Sequence, residues 1–165
     1  MIDPPDEILG LPIQAEAGEV YVGPQGALSI STSWNWGAPE VQTIDGIDVA
    51  VFSFSEFAVG PVTSELRVWA VNATGQNTSL EALVEAEAAR SGLTVDRLEM
   101  SDDGDEATGA AFMTGLARSS PTESVLVIHQ TEAGWAFAMM TVPSTRFTEA
   151  VLIHGANLQT IRYVG

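Results

Sequence analysis

The stretch Ile47-Asp48-Val49-Ala50-Val51-Phe52-Ser53-Phe54 is apolar on both of its alternating sides. In an extended chain, side chains point in turn to opposite faces. Ile47, Val49 and Val51 therefore fall on one face, and Ala50, Phe52 and Phe54 on the other. A strand of this kind must be covered from both sides. Two later segments repeat the pattern: Val125, Val127 and His129 oppose Leu126 and Ile128, while Ala136, Ala138 and Met140 oppose Phe137 and Met139. The centre of the sheet needs two covers.

Helices are the available covers. Thr78 followed by Glu81 reads as a capping box, in which two side chains satisfy free amide donors at a helix start. From there Leu80, Leu83, Val84 and Ala88 recur at helical spacing, and Gly92 supplies the stop. The expected helix spans 78–91, with Glu81, Glu85, Glu87 and Arg90 turned to water. A second helix, expected over 145–162, carries Phe147, Ala150, Val151, His154, Leu158 and Ile161 as one stripe.

The remaining strands come in turn-linked pairs. Glu19–Val22 and Ala27–Ser33 flank Gly23-Pro24-Gln25-Gly26, and Val41–Ile44 precedes an Asp45-Gly46 hairpin turn. Ser64–Asn72 follows the Gly60-Pro61 break. A weaker strand at Val95–Met100 leads through an acidic loop to Thr108–Arg118, Ser124–Thr131 and Trp135–Val142. The expected fold is α+β: a three-layer α/β/α sandwich with a mostly antiparallel sheet of about six to eight strands and two main helices. Residues 1–18, rich in acids and proline with a short apolar patch at Ile8, Leu9, Leu11 and Ile13, read as an arm or linker. Residues 19–165 read as a single domain.

Charge removes whole classes of function. Among 165 residues, 22 acids stand against six basic residues, giving a formal net charge of -16. All six are arginines, so chemistry that needs a lysine amine is excluded. This balance repels phosphate backbones and anionic headgroups, and no nucleic acid or acidic membrane is expected as a partner. An acid-rich surface without lysine suits high salt, and equally suits a GC-rich genome that favours arginine. Cysteine is absent, which excludes disulfides and thiolate sites. The opening residues carry no basic, then apolar, signal-peptide pattern, and no run is long enough to span a bilayer. The compartment stays open.

No motif names a reaction. His129 and His154 fall on apolar faces without a ligand-spaced neighbour, so each reads first as a packed histidine. In Ser101-Asp102-Asp103-Gly104-Asp105-Glu106, a calcium-loop register would put Ala110 where a bidentate acid belongs, and a solvated hairpin fits better. No nucleophile elbow, phosphate loop or dinucleotide fingerprint occurs, and neither a cofactor nor a metal is expected. Asn72-Ala73-Thr74 and Asn77-Thr78-Ser79 match the glycosylation sequon and read as turn residues. Trp34 and Trp36, flanking Asn35, would point the same way in an extended chain. They are the candidate binding pair, set against a role in capping the core.

The order of elements resembles the PsbP-like superfamily, which includes DcrB-type and LpqN-type bacterial envelope proteins. The matching pieces are Ala27-Leu28-Ser29-Ile30-Ser31 running into Trp34, the Thr78-Ser79-Leu80-Glu81 helix start, the Gly134-Trp135 hairpin and the closing 147–161 helix. The resemblance implies an antiparallel sheet between helices and a non-enzymatic accessory, adaptor or chaperone-like role with another protein as partner. It carries over no functional residue. Two other readings stay open. One is a carrier of a small apolar ligand in a pocket between sheet and helix. The other is a hydrolase whose acids and His129 or His154 converge only in three dimensions.

Overall fold

The computed structural model describes residues 7–12, 20–23, 26–32, 36–72, 79–103, 106–117 and 119–165. Its main sheet has seven strands in the order β5-β6-β7-β11-β10-β9-β8, every neighbouring pair antiparallel. They are β5 (Glu40–Ile44), β6 (Ile47–Val59), β7 (Val62–Asn72), β8 (Thr94–Asp103), β9 (Glu106–Ala117), β10 (Ser120–Gln130) and β11 (Gly134–Pro143). A three-stranded sheet joins β3 (Val20–Val22), β4 (Leu28–Ser31) and the C-terminal β12 (Arg162–Tyr163). The short strands β1 (Glu7–Ile8) and β2 (Leu11–Pro12) form a hairpin of their own.

Hairpins make most of this sheet, and their turns are written in the sequence. Asp45 and Gly46 both take positive φ, 52° and 80°, the two-residue geometry that matches strand twist. One connection is not a hairpin. After β7 the chain leaves for the far edge, and α1 (Leu80–Ser91) carries it there. Four strand spacings span about 19 Å, and a helix of this length rises about 18 Å, so α1 bridges from β7 to β8. The chain then returns strand by strand until β11 pairs with β7, Trp135 opposite Val71 and Phe137 opposite Trp69.

The alternation of the central strands sorts the core into two clusters. Val49, Val51, Trp69, Leu126, Ile128, Phe137 and Met139 pack with Leu80, Leu83, Val84 and Ala88 of α1. Ala50, Phe52, Val125, Val127, Ala136, Ala138 and Met140 pack with Phe147, Ala150, Val151 and Leu158 of α2 (Phe147–Gln159). The fold is α+β, dominated by antiparallel sheet, with one helix contributing to each cluster. No helix of the described residues is long and apolar enough to cross a membrane.

Several details depart from the sequence reading. The first helix starts later than 78: its N-cap is Ser79, whose Oγ accepts from the Ala82 amide at 3.2 Å. Thr78 lies outside the described residues. Glu87 is buried rather than turned to water, because Arg90 and Ser91 bond both of its carboxylate oxygens. The second helix is shorter than 145–162; a 3-10 turn over Ser144–Arg146 leads into it, and it ends at Gln159. Ile161 stays in the core just beyond it. The apolar patch of the arm is docked on the domain: Ile8 and Leu9 are buried in the α2-side core. Arg97 Nη1 donates to the Leu9 carbonyl at 2.8 Å and holds the hairpin turn.

Candidate functional site

His154 lies on the inner face of α2 and is fully enclosed. Trp36, Phe54 and Phe57 set their rings 5.3–5.6 Å from the imidazole. Its Nε2 meets the half-buried carboxylate of Glu56 at Oε1, 2.7 Å away. Three positions along the helix and just past its end, the fold ties in its small sheet: Asn157 Nδ2 donates to the Ser31 carbonyl at 3.1 Å, and Thr160 Oγ1 accepts from the Ser31 amide at 2.8 Å. These polar contacts position β4 and the β6 bulge against α2.

His129, 3% exposed, occupies the end of β10. Its Nδ1 accepts from the Tyr163 amide at 2.9 Å. Burial lowers its pKa from the ordinary histidine value, the charge of Arg162 adds to that, and Glu106 opposes. A neutral ring whose Nδ1 lone pair is taken keeps its proton on Nε2. That proton points toward Glu106 Oε1, 3.7 Å away. His129 therefore offers a donor at Nε2, where a metal would need a lone pair. Among the described residues no group of three histidine or carboxylate side chains could hold a metal ion.

The candidate tryptophans part company. Trp36 is 1% exposed and packs against Phe52, Phe54 and His154, so its indole belongs to the core and presents no recognition surface of its own. Trp34 lies outside the described residues. So do residues 73–78 of the sequon loop, and Gly104-Asp105 of the acidic loop. The flanking strands pair up to Asp103 opposite Glu106, which is the geometry of a hairpin.

What the sequence did not foretell is a cleft of about 200 Å³ at the rim of the main sheet. Ile8 and Leu9 of the docked hairpin form one wall, Glu99 to Ser101 of β8 and Thr108 to Ala110 of β9 the floor, and Gln159 at the end of α2 the third side. Neither histidine lines it. The floor follows from register: Glu99 pairs with Ala110 and Ser101 with Thr108, so these four share the face on which α2 lies. Only the hairpin turns this stretch of open sheet into a cleft, and the hairpin's place depends on contacts far apart in sequence.

Electrostatically this rim is anionic. Five of the arginines are described and all are engaged within the chain: Arg67 with Glu65, Arg90 with Glu87, Arg146 with Glu149, and Arg97 and Arg162 with backbone carbonyls. At the other end of β8, the Glu123 carboxyl is raised above its usual range by burial, with the charge of Asp96 adding to it. Acids crowd this edge without a countercharge among the described contacts of Asp96 and Glu99.

The chain matches no protein-family model and no curated protein. Among solved structures it is similar to a protein from Bacteroides thetaiotaomicron, with a TM-score of 0.57 at 13% identity over 91% of this chain. It spans 50% of that protein's length. A protein of unknown function from Pseudomonas aeruginosa aligns over 82% of this chain and 89% of its own, at 9% identity and a TM-score of 0.47. The first of these likenesses is one of fold alone.

Proposed function

We propose that this chain is a non-enzymatic binding or adaptor module of PsbP-like architecture, a three-layer α/β/α sandwich that engages another protein at the rim of its main sheet. The observation that carries the reading is where the cleft lies. It opens at β8, beside the docked hairpin and the end of α2, and Glu99, Ser101, Thr108 and Gln159 line it, whereas a carrier would hold an apolar cargo deeper between sheet and helix. There the central side chains of both clusters pack against α1 and α2. The layered arrangement is supported by the sorting of alternate residues of β6, β10 and β11 into two clusters, each with its own helix. The binding reading is favoured over a hydrolase by the histidines: His129 Nδ1 is occupied by a backbone amide, and His154 is enclosed by aromatic rings.

Affinity capture on the immobilised chain, followed by native mass spectrometry of the eluate, tests this reading. A protein partner retained in stoichiometric amount is expected. A retained small molecule with no protein would overturn it in favour of the carrier.

A further inference from the structure

The binding reading leaves the partner's chemistry open, and the rim of the sheet narrows it. Among the described residues β8 is the outermost strand: along Thr94–Asp103 its backbone pairs with β9 on one side and with no described strand on the other. An unpaired edge of this length is a template for another strand. A segment added there would bond to the outward-facing amides and carbonyls and send every second side chain to the α2 face, where the cleft opens.

The cleft is the right size for one such side chain. At about 200 Å³ it falls below the roughly 300–1,000 Å³ of small-molecule sites. Leu9 and Ala110 give it apolar wall, Ser101, Thr108 and Gln159 give it polar groups, and the exposed carboxylate of Glu99 gives it charge. An aliphatic stem ending in a cation has this same sequence of surfaces.

Charge selects the same occupant. β8 contains Asp96, Glu99, Asp102 and Asp103, and its one cation, Arg97, is committed to the Leu9 carbonyl. Asp96 already bears on a carboxyl nearby, Glu123. Such an edge repels an acidic segment, and at a net charge of -16 it repels a second copy of this chain. We propose that β8 is the docking edge for an extended cationic segment of a partner protein, which joins the sheet as its next strand and seats one arginine or lysine side chain in the cleft beside Glu99. The inference rests on the binding-module reading and names that module's partner class.

A short labelled peptide of alternating arginine and valine, titrated against the full chain, tests it. The peptide is expected to bind and to shift the β8 amides in an NMR spectrum. N-methylation of alternate peptide amides, which removes the strand's hydrogen bonds but keeps its charge, should abolish binding. Glu99→Lys should weaken it about tenfold or more, while Glu85→Lys, an equal change in net charge on the exposed face of α1, should change it less than about twofold. Equal loss in the two variants, shifts centred on β3 or β5, or equal binding of a glutamate-for-arginine peptide would overturn the inference. If the peptide fails to bind while the chain still captures a protein, the docking edge is wrong and the binding module stands. If the chain captures no protein and the peptide fails, both fall.

Discussion

His154 shows how one buried polar group can order its surroundings. Three rings enclose it, and the carboxylate of Glu56 meets its Nε2. Removing that carboxylate strands a buried imidazole nitrogen, a loss of about 1–3 kcal/mol. Glu56→Ala should therefore lower the urea midpoint clearly, while Glu85→Ala on the exposed face of α1 should stay within about 0.5 kcal/mol of wild type. Equal, small effects would mean that Glu56 does not hold the ring. His129 makes a prediction in pH. Because burial lowers its pKa, the folded chain takes up this proton less readily than the unfolded chain. Its contribution to stability is complete above about pH 6.5, the unperturbed histidine value, and is lost as pH falls from there toward the folded-state value. His129→Gln keeps an acceptor for the Tyr163 amide and cannot be protonated. Denaturant unfolding from about pH 7.5 to about 5.5 should show the wild type losing stability relative to this variant, and parallel curves would contradict the assignment.

At the scale of elements, the alternation of β6, β10 and β11 and the helical stripe of α2 were legible because both are local periodicities, and local sequence dictates them. The start of α1 was legible only to within a residue. Two adjacent hydroxyl residues compete for the cap, and Ser79 holds it. Ser79→Ala should cost about 1 kcal/mol in thermal or urea unfolding; no change would move the cap elsewhere. Glu87 was misread because helical spacing says which face a side chain takes and nothing about its neighbours. Arg90 and Ser91 give it bonds that make burial tolerable. Gly134, which the sequence suggested only as a turn residue, sits where β11, β7 and β12 meet. A Cβ there would stand 2.5 Å from the Val71 carbonyl oxygen and 2.4 Å from the Tyr163 ring. Gly134→Ala should lose about 1–3 kcal/mol by overpacking, measured against the same baseline, and a neutral effect would show that the crossing yields.

For the molecule as a whole, charge is the property most visible in the sequence, and its site the least. With a net charge of -16, self-repulsion acts against the compact state and is screened over about 10 Å at 0.1 M salt but about 3 Å at 1 M. The melting temperature should climb from low to molar salt, and a flat response would show the repulsion to be unimportant. The cleft was invisible because it exists only where Leu9, Glu99, Thr108 and Gln159 meet, residues that no period or motif connects. Trp36 misled for a related reason: an indole's value as an anchor depends on exposure, and Trp36 is 1% exposed. The central strands bury side chains on both faces, which leaves the rim as the place where backbone can bond to another chain. Hydrogen exchange of the free chain and of the chain with the cationic peptide tests that claim most directly. Slow exchange in β7, β10 and β11, faster exchange in β8, and selective slowing of β8 on binding are predicted; β8 amides as protected in the free chain as those of β10, or unaltered by the bound peptide, would contradict it.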